Sequence, residues 1–116
     1  MTGLQARLRA DLLTARKARD TTATAVLRST LAAIANAEAL PVEETALSAE
    51  GPIAGAAVGV GATEAARRDL SDEDIRGIIA GEQTERLDAA TDLDSHGAGE
   101  KAEQLRAEAA LLTAYL

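Results

Sequence analysis

Few residues of this chain have the types that chemistry requires, and their spacing does not assemble a catalytic site. Asp94-Ser95-His96 brings together the three side chains of nucleophilic catalysis, but neighbours in a Gly-flanked turn are not held in the geometry of a triad. His96 is the only histidine and has no Glu-x-x-His partner, so no metal site is expected and His96 reads as a solvated turn residue. Gly59-Val60-Gly61 followed by Glu64 is half of a dinucleotide fingerprint, lacking the third glycine and a preceding strand. No Gly-Lys-Ser/Thr phosphate loop is present. The expectation is a protein with no catalytic residues and no cofactor; carboxylate chemistry at Glu38 and Glu82 is the weakest of the functional classes.

More informative are charges that fall on apolar helix faces. A wheel at ~100° per residue places Glu38 between Leu27 and Leu31 and gives Arg28 the direction of Ile34 at the stripe's edge. Glu82 and Arg86 sit among Ile75, Ile79 and Leu93, spaced i, i+4 with the acid first, the favourable order. Ionised groups are costly to bury unpaired, so Arg28, Glu38, Glu82 and Arg86 are expected to meet in one ion-pair network, with Glu108 joining from the last helix. Such a network fixes helix register more often than it binds a ligand.

Charge is also divided along the chain. Its net charge is −7, yet through Ala37 six cations (Arg7, Arg9, Arg16, Lys17, Arg19, Arg28) face only Asp11 and Asp20, leaving −11 for the rest. Such a basic surface can attract nucleic acid or anionic lipid, although the acidic remainder weakens long-range attraction to either. If RNA is bound, Arg7, Arg9, Arg16, Lys17 and Arg19 are the candidate phosphate contacts, and the plainer reading is a solvated helix face.

The elements that must carry these groups are helical. In 116 residues with 47% apolar content, no Phe or Trp and Tyr115 as the only aromatic, a single thin aliphatic core is expected. The absence of cysteine fits a reducing compartment, and no apolar run suits a signal peptide or membrane span. A cytoplasmic protein is expected. Helix 1 opens at a Thr2/Gln5 capping box and carries Leu4, Leu8, Leu12 and Ala15. Asp20-Thr21-Thr22 starts helix 2, whose stripe is Leu27, Leu31, Ile34 and Ala35, and Pro41 ends it. Ser71 before three acids starts helix 3, which carries Ile75, Ile78, Ile79, Ala89 and Leu93. Gly77 and Gly81 weaken that helix or permit close contact. A turn at 95–99 leads into helix 4, with Ala102, Leu105, Ala109, Leu112 and Leu116 in phase.

The architecture expected is all-α: two antiparallel hairpins, 1–39 and 70–116, forming a small four-helix domain, with a long flexible Gly/Ala-rich linker over 40–69. Leu111, Leu112, Tyr115 and Leu116 are the candidate partner surface, open to another protein or to a second copy of the chain.

Four segments in order carry a resemblance: Leu8-Arg9-Ala10-Asp11-Leu12 with Lys17-Ala18-Arg19-Asp20; Leu27-Arg28 through Ala33-Ile34 to Asn36-Ala37-Glu38; Leu70-Ser71-Asp72-Glu73-Asp74-Ile75; and Glu108 with Leu112 and Tyr115-Leu116. Together they resemble the GatB/YqeY family, which comprises YqeY-like proteins and the C-terminal region of the B subunit of glutamine-dependent aspartyl/glutamyl-tRNA amidotransferase. The resemblance implies an all-helical first lobe reaching Tyr115-Leu116, with the family's second lobe beyond it. It implies association with tRNA-dependent amidotransfer, through tRNA or an amidotransferase-type protein, with catalysis elsewhere. Arg28, Glu38, Arg86 and Glu108 fall on its recurrent charged positions. Gln83-Thr84-Glu85-Arg86 departs from the basic run usual in the family's third helix.

Overall fold

The computed structural model describes residues 3–39 and 69–116. The expected Thr2 cap, the Gly59-Val60-Gly61 motif and all but the last residue of the 40–69 linker lie outside the described residues. Among the described residues there are four helices, α1 (Gly3–Lys17), α2 (Thr21–Ala39), α3 (Asp72–Ser95) and α4 (Gly99–Leu112), followed by a 3-10 turn over Thr113–Tyr115. They form two hairpins, α1 on α2 and α3 on α4, with α2 touching both helices of the second pair.

Local chemistry accounts for the helix ends. Asp20 Oδ1 accepts the Ala23 N–H at 3.0 Å and so caps α2. Ser71 and Asp74 exchange side-chain and backbone hydrogen bonds in a reciprocal capping box, and Asp72, Glu73 and Asp74 occupy the positive end of α3. The start of α1 is served from a distance: Asp72 Oδ1 accepts the Leu4 N–H at 3.3 Å.

Both hairpin corners use the same αL device. In the second, Gly97 lies at φ 78°, with Ala98 N–H on Leu93 O and Gly97 N–H on Asp94 O. In the first, Asp20 N–H reaches Ala15 O and Arg19 N–H reaches Arg16 O, but the left-handed residue is Arg19 at φ 60°.

Leu4, Leu8, Val26, Leu27, Ile34, Leu70, Ile75, Ile79, Leu112 and Tyr115 make one buried cluster between the hairpins. Farther out, Ala90, Ala102 and Ala109 are buried where α3 meets α4. Two small positions were misassigned from the sequence. Ala35 and Ala89 are exposed, while Val26, Thr30 and Ala90 take the buried places, because each stripe is rotated by less than one residue's ~100° from the periodic reading, with Leu27, Ile34, Ile75 and Ile79 still inside. Thr30 is tolerated inside because its hydroxyl donates to Val26 O at 2.8 Å. Among the described residues, Cβ atoms added at Gly77 or Gly81 would meet nothing within 4 Å, so no close approach of the described helices uses these glycines, and they weaken α3.

Candidate functional site: a three-helix ion cluster and a basic hairpin face

Where α2, α3 and α4 converge, an ion cluster is built around Arg86. Its Nη1 donates to Glu82 Oε1 at 3.1 Å and to Glu82 O at 3.0 Å, and its Nε donates to Glu108 Oε1 at 3.3 Å. The Ser29 hydroxyl of α2 donates to Glu82 Oε1 at 3.1 Å. Gln104 Nε2 reaches Glu108 Oε2 at 3.3 Å and Thr22 Oγ1 at 3.4 Å. The side chains of Arg86, Glu82 and Glu108 are only 12%, 14% and 22% exposed. Every charge in the cluster meets a polar partner, so it ties three helices together without presenting a reactive group to solvent.

Three of the expected network residues, Glu82, Arg86 and Glu108, are therefore brought together, and two are not. Arg28 is exposed; six residues at ~100° per residue set it ~120° away from Ile34, so the two do not share a direction. Glu38 does face inward, but it lies ~13.5 Å along the α2 axis from Ser29 at ~1.5 Å per residue. There it accepts a 3.4 Å hydrogen bond from Gln5 Nε2, joining the open ends of α1 and α2. Glu38 and Glu82 consequently share no site. Gln83 was not anticipated: its Nε2 donates to Ala109 O at 2.8 Å and Thr113 Oγ1 at 2.9 Å, binding α3 to the end of α4. The cue was a glutamine where the resemblance leads one to expect a basic run.

The expected partner surface divides likewise. Leu112 is fully buried and Tyr115 is 8% exposed, whereas Leu111 and Leu116 are exposed. The 3-10 turn swings Tyr115 onto α1, where its hydroxyl donates to Asp11 Oδ2 at 2.5 Å. Arg7 covers the ring, 4.6 Å from its centroid, and donates to Ala114 O at 3.2 Å.

Burial, reinforced by the hydrogen bond to and the negative charge of Asp11, pushes the Tyr115 phenol up to about 12, with Arg7 opposing. An unfolded phenol titrates near ~10, so this contribution to stability is complete below that pH and is lost as pH rises toward about 12. Thermal unfolding at pH 8 and pH ~11 should show a loss for the native chain that is smaller in Tyr115→Phe. Equal losses in the two proteins would remove Tyr115 as the cause.

At the turn between α3 and α4, the Asp94-Ser95-His96 groups are engaged with the helix end. Asp94 pairs with Arg106, Ser95 Oγ donates to Asp92 O at 2.7 Å, and His96 Nδ1 lies 2.9 Å from Asp92 O. Ser95 Oγ also lies 3.4 Å from His96 Nδ1, but Asp94 is taken by Arg106, so the three do not line up as nucleophile, base and acid.

The remaining cations define a face of the first hairpin. Arg9 and Arg16, two helical turns apart, share one flank of α1, while Arg7 lies on the other and holds the C-terminal turn. Arg9, Arg16, Lys17, Arg19 and Arg28 are all exposed, and among the described residues none has a carboxylate within ion-pair distance. Arg16, Arg19 and Arg28 line one cleft with Thr21, Thr24 and Ala25. Among the described residues no helix is long and apolar enough to cross a membrane. Compared with family models, curated proteins and solved structures, the chain finds no significant match.

Proposed function

We propose that the chain is a non-catalytic helical module of the GatB/YqeY type, associated with glutamine-dependent tRNA amidotransfer, and that its first hairpin docks on the phosphate backbone of tRNA. The observation that carries this reading is the set of five exposed cations, Arg9, Arg16, Lys17, Arg19 and Arg28, with no carboxylate partner among the described residues. Exposed cations of this kind can neutralise phosphates and release counterions. Transfer of the amide, a carbon–nitrogen ligation with glutamine as donor, belongs on this reading to another protein. Its setting is the cytoplasm.

Five phosphate contacts imply a binding constant falling as about the fourth power of salt concentration. Fluorescence anisotropy with bulk tRNA should show binding at 50 mM salt that weakens ~200-fold by 200 mM. No binding at 50 mM salt would sink the proposal. The exposed Leu111 and Leu116 favour a second reading, a self-assembling or protein-docking module with no RNA role. Light scattering that shows a dimer, abolished by Leu111→Ser with Leu116→Ser, would then take precedence.

A further inference from the structure

The corner of the first hairpin sorts its charges to opposite sides. Asp20 turns to cap α2 and lines, with Asp11, Leu111 and Tyr115, a cleft on one side. On the other side lies a cleft of about 480 Å³ lined by Arg16, Arg19, Arg28, Thr21, Thr24 and Ala25. Thr21, Thr24 and Arg28 follow the i, i+3, i+7 spacing of one face of α2, and Arg16 and Arg19 close the cleft from the end of α1. No carboxylate is among its lining residues, and the three guanidiniums have no ion-pair partner among the described residues.

A second, independent feature marks the same place. Arg19 occupies the left-handed position that Gly97 fills at the other corner, under the same pair of backbone hydrogen bonds. A side chain there is strained, and glycine would relieve it. The arginine therefore stands where it costs stability, and backbone strain of this kind clusters at functional sites.

We infer that this cleft is a phosphate seat, in which the Arg16, Arg19 and Arg28 guanidiniums fork onto phosphate oxygens and the Thr21 and Thr24 hydroxyls donate to those left over. Arg28 is thereby the contact that extends the basic run of α1 onto α2. The seat rests on the RNA reading for a backbone phosphodiester as its ligand; a small polyphosphate carries the same chemistry. Two probes separate these sources, inorganic pyrophosphate followed by amide chemical shifts, and bulk tRNA followed by anisotropy.

Pyrophosphate should shift amides of residues 16–28, and Arg28→Gln and Arg19→Gly should each weaken it about tenfold. Each should lower the tRNA salt slope by about one. Arg19→Gly should also raise the melting temperature by ~2–5 °C, so its binding loss cannot be ascribed to unfolding. Arg76→Gln, the same charge change on α3, should leave both ligands bound as before. Pyrophosphate bound at residues 16–28 without tRNA binding keeps the seat, assigns it to a small polyphosphate and removes the RNA reading. If tRNA binds, but equally to Arg19→Gly and Arg28→Gln and with no pyrophosphate shifts, the seat is overturned and the RNA reading stands. Neither ligand binding overturns both.

Discussion

Replacing Arg86 with methionine is expected to cost about 3 kcal/mol of stability, the lower end of what breaking a buried ion pair costs. Among the described residues the guanidinium is the only cation paired with Glu82 and Glu108, and both carboxylates are largely withdrawn from solvent. Without it, Glu82 retains Ser29 and Glu108 retains Gln104, but two like charges are left facing each other in a region of weak screening. The unfolding midpoint in urea should fall by about 1–3 M. Converting all three residues together, with Glu82→Leu and Glu108→Leu added to Arg86→Met, should recover most of the loss, because no unpaired charge is then buried. A single variant that unfolds with the native midpoint would show the cluster to be solvated and energetically idle.

The second large effect is at Leu112, where truncation to alanine is expected to cost roughly 3 kcal/mol, within the range for buried leucines. Leu112 is fully buried in the cluster that joins the hairpins and directly precedes the turn carrying Tyr115. In a domain of this size the melting temperature should fall by more than ~10 °C. Leu111→Ala, one residue earlier and 39% exposed, should move it far less. Thermal unfolding in dilute solution and light scattering on the same samples check the point. A Leu112→Ala protein that melts normally but changes its state of association would restore Leu112 to a partner surface.

That pair of leucines shows how far periodicity reads. Ala102, Ala109 and Leu112 follow the expected seam and are buried, since a helix of constant pitch keeps them on one side. Leu116 does not, because the chain tightens into a 3-10 turn after Leu112 and the phase changes. Tyr115, assigned from the sequence to a surface awaiting a partner, is instead bound to Asp11 of the same chain. A contact across 104 residues leaves no local trace in the spacing of either segment.

The charged positions divide on similar grounds. Glu82 and Arg86 were legible because their i, i+4 spacing puts them together within a single helix. Glu108 is drawn in by the antiparallel return of α4, and Arg28 is excluded because its angle on α2 points it elsewhere. Glu38 has an inward angle but the wrong height. A helical wheel projects out the coordinate along the axis, so it could not distinguish Glu38 near Gln5 from a residue near Arg86.

By itself, the sequence determined the described helices, the caps at Asp20 and Ser71 and the pairing of each hairpin, because backbone propensity, cap chemistry and short connections act over a few residues. It also determined that the first hairpin is basic and the rest acidic, since charge is carried by composition alone. Only the tertiary structure decided which cations have partners: Arg86 is enclosed between Glu82 and Glu108, Arg7 is committed to the Tyr115 ring, and Arg16, Arg19 and Arg28 are turned together into a cleft where, among the described residues, none has an ion-pair partner. Pairing depends on distances between elements and on the angle at which each helix meets its neighbours. Those are set by how the two hairpins pack, not by the residues within either one.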